Sequence, residues 1–268
     1  MISLLRIDFE RARKSKTPYI FLGILILCLF FSGLMLLIVL KPELRNAALD
    51  LGMEITVDDQ LDFSFLTQKS HIEVLHSMVL DGGGLYIFLC IIMTLFVCND
   101  FESGFTKNIF SLEQKRWKYL ISKLIVIQVL CVIYIIAMIL ALFLFTKIVG
   151  ITFASSPLMD YLKFILFLCA INGGFCAQSL AVSMLTRSKA AGIAAAIIIP
   201  GGLLVSIIEP LCNMFHFSIF KWTLYGTIKL FAFPLTSSQL LFPFLVVIAW
   251  TIVWITISAV LIQKKDIA

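Results

Sequence analysis

Tyr19-Ile-Phe-Leu-Gly-Ile-Leu-Ile-Leu-Cys-Leu-Phe-Phe-Ser-Gly-Leu-Met-Leu-Leu-Ile-Val-Leu40 holds 22 residues and no charge. At 1.5 Å per residue a helix of this length reaches about 33 Å, enough to cross the hydrocarbon of a bilayer. It is too long for the apolar core of a cleavable signal and has no small-residue cleavage pattern after it, so it reads as a retained anchor. Five more uncharged apolar runs follow: Gly82–Cys98, Leu124–Thr146, Phe164–Thr186, Ala190–Ile208 and Leu241–Ile262. The composition agrees. Of 268 residues 61% are hydrophobic and 14% charged, against about 25% charged in soluble domains. The fold expected is an all-α membrane protein, one transmembrane domain over residues 1–268. Its six spans lie at about 19–40, 82–98, 121–146, 164–186, 190–208 and 241–262.

Orientation follows the bias of Lys and Arg to the cytoplasmic side. If the N-terminus is cytoplasmic, the inner segments hold 14 of the 21 basic residues and 6 of the 16 acids. The net charge of +5 is then topological and needs no nucleic acid. Both termini are expected in the cytoplasm.

Residues 1–18 place Ile2, Leu5, Phe9 and Ala12 at helical spacing, with Arg6, Arg13 and Lys14 mostly on other faces. An amphipathic interfacial helix is expected, turned into the first span at Pro18. Residues 41–81 form an acidic outer loop. There His71 and His76 are five residues apart, which does not put both on one helical face to hold a metal with Glu73. The seven cysteines lie mostly in apolar runs without a C-x-x-C pair, and read as small buried hydrophobes rather than disulfides or zinc ligands.

The inner stretch 99–118 reads Asn-Asp-Phe-Glu-Ser-Gly-Phe-Thr-Lys-Asn-Ile-Phe-Ser-Leu-Glu-Gln-Lys-Arg-Trp-Lys. Ser103 is expected to cap a short helix reaching about Phe110. Ser111 with Gln114 has the spacing of a capping box that opens a second helix running into the third span. Lys115, Arg116 and Trp117 would anchor that helix at the headgroups, as Arg13 and Lys14 would anchor the first. Spans four and five are joined by a turn at Ser188 and Lys189, which makes them antiparallel. Small residues four apart, Ala170 with Gly174, Gly173 with Ala177 and Gly192 with Ala196, suit close helix packing. Asn172, Gln178 and Ser179 are polar within span four, either as interhelical hydrogen bonds or as part of a substrate path. Pro200-Gly-Gly202 interrupts span five and Glu209-Pro210 ends it. Residues 211–240 read as a broken outer segment, re-entrant or interfacial.

No P-loop, H-E-x-x-H or G-x-S-x-G motif occurs. The apolar runs contain no acid or base for a proton relay. Chemistry in the chain itself is therefore not expected, and a transporter driven by another chain remains.

The ordered set of features resembles the membrane subunit of a type-2 ABC transporter, the permeases whose ATPase is a separate chain. The features are the helix Ile2–Lys16, the loop Asp100–Asn108 followed by Arg116 and Ser122-Lys123, the short turn between spans four and five, the broken outer segment, and Lys264-Lys-Asp-Ile267. In that family the loop after span two carries an E-x-x-x-G-T-x-K-x pattern. Glu102, Gly104, Thr106 and Lys107 approximate it, with Phe105 inserted between glycine and threonine. The resemblance implies a coupling helix that docks on the ATPase through Asp100, Glu102, Gly104, Phe105, Thr106, Lys107 and Asn108. It implies no cofactor bound by this chain, with ATP and Mg2+ held by two ATPase copies, and a second permease copy or a sibling as partner. It also implies a multi-pass protein of a bacterial plasma membrane. Small permeases of this kind resemble exporters of antimicrobial or cytolytic peptides, such as lantibiotic-immunity and phenol-soluble-modulin transporters. An amphipathic peptide, taken from lipid or cytoplasm, is then the expected substrate. A drug or lipid exporter is the nearest alternative. An intramembrane enzyme built on Asn172, Gln178 and Ser179, or a non-transporting assembly protein, are the readings from other classes.

Overall fold

The structure is a computed structural model that describes residues 2–41, 43–44, 46, 50, 69–112, 116–230 and 237–264. Among the described residues it is all helix, with one isolated bridge between Ser70 and Ala154 and no strand. Five helices are long and apolar enough to cross a membrane, and a bent pair passes the same test together. The chain is a multi-pass membrane protein in outline.

Helix α1 spans Ile2–Lys14 and α2 spans Thr17–Leu40, with Pro18 in the first turn of α2 where its missing N–H costs no intrahelical bond. Then come α3, His71–Leu75, continued by a π-helical turn His76–Leu80, and α4, Gly84–Glu102. Helix α5, Phe105–Leu112, is short, and α6 runs from Trp117 to Val149. Helix α7 covers Leu158–Thr186. The bent pair is α8, Lys189–Ile198, and α9, Leu203–Asn213. A short α10, Leu224–Lys229, precedes α11, Ser237–Lys264. Helix α7 lies at the centre, packed on α4, α6, α8, α10 and α11. In the apolar window of α7 67% of residues are buried, against 17% in α2, so α2 is peripheral.

Several expected boundaries move, each for a local reason. The second span does not stop at Cys98. Helix α4 continues through Asp100 to Glu102, because the Asp100 carboxylate is buried against cations. Ser103 caps the end of α4 instead of starting the next helix, and its hydroxyl donates to the Asp100 carbonyl. The turn is made by Gly104 at φ +69°, with the amides of Lys107 and Asn108 returning to its carbonyl. Ser111 lies inside α5, so it is not the cap of the helix that follows; Gln114 and Lys115 fall outside the described residues. The continuous entry into the third span begins at Trp117.

In α1 the buried stripe is Leu4, Asp8 and Ala12, which shares only Ala12 with the apolar set expected. Ile2 is exposed and Leu5 and Phe9 are half-buried, because Asp8 draws its own face onto α6. The run 190–208 is broken at Pro200-Gly201-Gly202, where α8 and α9 meet at 54°. The break is keyed from both sides. A Cβ on Gly83 would lie 2.1 Å from the Pro200 carbonyl oxygen, and one on Gly202 would enter the Tyr225 ring. Glu209-Pro210 does not end the helix, which runs on to Asn213. Instead the Glu209 carboxylate accepts from the Ser218 hydroxyl and the amides of Ile219 and Phe220 at 2.6, 3.1 and 2.9 Å, folding the outgoing chain back.

The small residues of spans four and five receive other helices more than each other. The space beside Gly192 is filled by Thr94 of α4, that beside Gly173 by Gln128 of α6, and that beside Gly174 by Leu224 of α10. On the α3 side, Ser70 and Glu73 form a reciprocal capping box, and His71 stacks on Phe143 at 4.5 Å. Glu73 is thereby committed to the cap. Among the described residues no group of three His, Cys, Asp or Glu side chains is placed to hold a metal.

Candidate functional site around a buried ion cluster

Four ionisable side chains from three helices meet between α1, α4 and α6. Asp8 and Arg11 come from α1, Asp100 from the last turn of α4, and Lys123 from the second turn of α6. Asp8, Asp100 and Lys123 are fully buried. The Lys123 ammonium lies 2.6 Å from Asp8 Oδ1 and 2.6 Å from Asp100 Oδ2. Arg11 reaches Asp100 Oδ1 at 2.5 Å and Asp8 Oδ1 at 4.0 Å. Two hydroxyls complete the shell: Ser122 donates to Asp8 at 2.6 Å and Tyr119 to Asp100 at 3.0 Å.

Two carboxylates face two cations, so the formal charge cancels. That balance is required. An unpaired charge in a low-dielectric site costs several kcal/mol, and a buried pair offsets this only with close geometry and further hydrogen bonds. Aromatic faces supply more. Lys123 sits over the rings of Phe96 at 3.8 Å and Tyr119 at 5.0 Å. Arg11 sits over Phe105 at 4.4 Å and Phe96 at 5.2 Å.

The cluster reaches α5 through two adjacent residues. Phe105, the first residue of that helix, lies under the Arg11 guanidinium. Thr106 is buried, and its hydroxyl donates to the Asp100 carbonyl at 3.4 Å. Lys107 and Asn108 project outward and are exposed. A shift of α5 therefore disturbs the packing of Arg11 and Asp100, and through them α1 and α6.

The residues singled out in the loop thus divide into two sets. Asp100 and Thr106 face inward, with Phe105 half-buried above the cluster. Glu102, Lys107 and Asn108 face outward. Glu102 pairs with Lys189 at 2.6 Å, joining the end of α4 to the turn between α7 and α8. Both side chains are exposed, so this pair is worth at most about 1 kcal/mol. Gly104 has open space where a Cβ would be, so only its positive φ calls for glycine.

Among the expected anchors, Arg13 and Lys14 are exposed and Trp117 is 43% exposed. Arg116 is half-buried. Its guanidinium donates to the Ile262 carbonyl at 2.9 Å and stacks near Phe110, tying the start of α6 to the end of α11 and to α5. In span four, Asn172 is fully buried and donates to the Gln128 side chain at 3.1 Å. Ser179 is buried, and its carbonyl accepts from Ser183. Gln178 stands apart from both. It lines a crevice of about 170 Å³ with Tyr225, Trp250 and Trp254.

Sequence reasoning missed Asp8, Arg11, Phe96 and Tyr119, and gave Lys123 no partner. A signal was present. Asp8 sits four residues from both Leu4 and Ala12, on a stripe that is otherwise apolar, and Lys123 is the charge at the mouth of the apolar run after it. An acid and a base so placed are buried only if paired. Asp8, Asp100 and Lys123 are closed off from solvent, and the two crevices beside α1 are lined by none of the four charged residues. The arrangement is suited to holding three helices and α5 in one geometry. Compared with protein-family models and with curated proteins, the chain gives no match.

Proposed function

We propose that this chain is the permease subunit of an ATP-driven exporter resembling the type-2 ABC transporters. It would work as a dimer with two separate ATPase chains in a bacterial plasma membrane. In this reading the bent pair α8–α9 counts as one span, giving six, and both termini lie in the cytoplasm, where the basic residues gather. One observation carries the proposal: α5 exposes Lys107 and Asn108 while its inward residues Phe105 and Thr106 rest on the ion cluster that joins α1, α4 and α6. A partner pushing on α5 acts on three helices together, which is what transmission of an ATPase stroke requires.

The substrate proposed is an amphipathic peptide. Helix α9 buries no residue and α2 few, so both keep broad apolar faces for a second copy, for lipid or for a pathway between copies. The charged rim of Arg6, Glu10 and Arg13 beside α1 stands over an apolar interior, which does not suit a small polar solute. A drug or lipid exporter is the second reading, favoured by the aromatic crevice at Gln178, Trp250 and Trp254. The test is stimulation of ATP hydrolysis by the purified complex. Amphipathic peptides that stimulate it support the first reading; stimulation by apolar drugs or lipids alone supports the second.

A further inference from the structure

A crevice of about 360 Å³ opens between α1, the first turns of α2 and one face of α6. That volume lies in the range of small-ligand sites. Its walls are apolar: Phe9, Leu22, Val126, Val129, Leu130 and Ile133 all line it. The Tyr134 hydroxyl is also there but is spent on the Pro18 carbonyl. The charged groups of the lining stand at the α1 edge, where Arg6, Glu10 and Arg13 line the opening, and the Tyr19 hydroxyl beside them donates to the Arg13 carbonyl.

The charges of α1 are divided between two sides. Asp8 and Arg11 are committed to the ion cluster. Arg6, Glu10 and Arg13 remain, all exposed, with Arg6 and Glu10 only 3.8 Å apart as a loose pair. The crevice therefore has a net positive rim over an apolar interior. Lys14 and Lys16, both exposed, add to the positive field beside it.

We propose that this crevice binds an anionic glycerophospholipid, one acyl chain lying along α6 and the phosphate held by Arg6 and Arg13. An acyl chain matches the walls, and an anionic headgroup matches the rim. A free phosphate would leave the apolar interior unfilled. A cationic peptide would meet a rim of its own sign. Basic residues at a membrane surface favour anionic lipid by roughly fivefold each. The site stands independently of whether an ATPase partners the chain.

The full-length chain, stripped of lipid in neutral detergent, is titrated with dioleoyl phosphatidylglycerol or dioleoyl phosphatidylcholine, and one-lipid adducts are counted by native mass spectrometry. Phosphatidylglycerol is expected to be retained at least fivefold better. Arg6→Gln with Arg13→Gln, both on exposed positions, should abolish the preference while leaving the elution profile unchanged. Val129→Trp, which fills the crevice, should lower retention of both lipids. Equal retention of the two lipids by the parent chain, or a preference that survives the double arginine variant, overturns the proposal. So does binding of a cationic amphipathic peptide that Val129→Trp removes, without any lipid preference.

Discussion

Asp8 and Lys123 lie 115 residues apart in the chain and meet at 2.6 Å, both with no solvent exposure. This contact fixes the amphipathic helix to the third long helix. It also places the lysine where it can reach Asp100 and so include α4. The pair is the mechanical centre of the account.

Removing one member should cost more than removing an oppositely charged pair. Lys123→Met leaves two carboxylates facing Arg11 alone and is expected to destabilise by about 3–5 kcal/mol. Adding Asp8→Leu leaves the neutral Arg11–Asp100 pair, and the double variant should recover part of that loss. Thermal unfolding of the four chains of the cycle in detergent measures the coupling. Strict additivity would contradict the cluster.

Two glycines in left-handed conformation should respond differently to alanine. Gly104→Ala meets open space, so its cost is that of the positive φ, about 1–2 kcal/mol. Its effect should fall on α5 and on the ATPase docking proposed for it, with the bundle intact. Gly83→Ala carries the same strain and also drives a Cβ into the Pro200 carbonyl. It should abolish a monodisperse elution profile where Gly104→Ala retains one.

The chain should lose stability in acid through His71 and His76. Burial lowers the pKa of His76 from 6.5, with Asp81 opposing and Lys229 assisting; burial likewise lowers that of His71. A base whose folded pKa is depressed takes up its proton more readily when unfolded. The stability these groups contribute is therefore complete above about pH 6.5 and falls as the pH drops toward their folded values. Unfolding temperature measured from pH 7.5 to 5 should decline, and His76→Gln should flatten the decline.

Glu209 should hold the segment after α9. Glu209→Ala removes the acceptor of three hydrogen bonds. With a part-exposed site, a loss of about 1–3 kcal/mol is expected, confined to this region. Hydrogen exchange of the amides of Ile219 and Phe220 should rise sharply, while amides in α7 stay protected.

The long apolar helices were legible because twenty uncharged residues have few other fates. The break at Pro200-Gly-Gly202 was legible for the same kind of local reason. The ion cluster was not. Asp8 and Arg11 lie 89 or more residues from Asp100 and Lys123, so the apolar stripe around Asp8 marks it for pairing but names no partner. Burial of Asp100 likewise depends on cations that α1 and α6 bring to it, so the true end of α4 could not be read from Asn99–Glu102 alone. The cysteines show the same limit. Four of the seven are buried as apolar residues should be, but no spacing foretold that the Cys169 carbonyl would accept from Gln128 across α6 and α7.

The central claim is that α5 receives an ATPase. The direct measurement is to tag the chain in its host, solubilise it gently, identify co-purifying proteins and assay ATP hydrolysis. Lys107→Glu with Asn108→Ala, on the exposed side of α5, is run beside the parent chain. The account predicts a stoichiometric P-loop ATPase with the parent and its loss with the variant, at unchanged permease yield. Absence of any such ATPase, under conditions that preserve a control transporter, or its full retention by the variant, would contradict it.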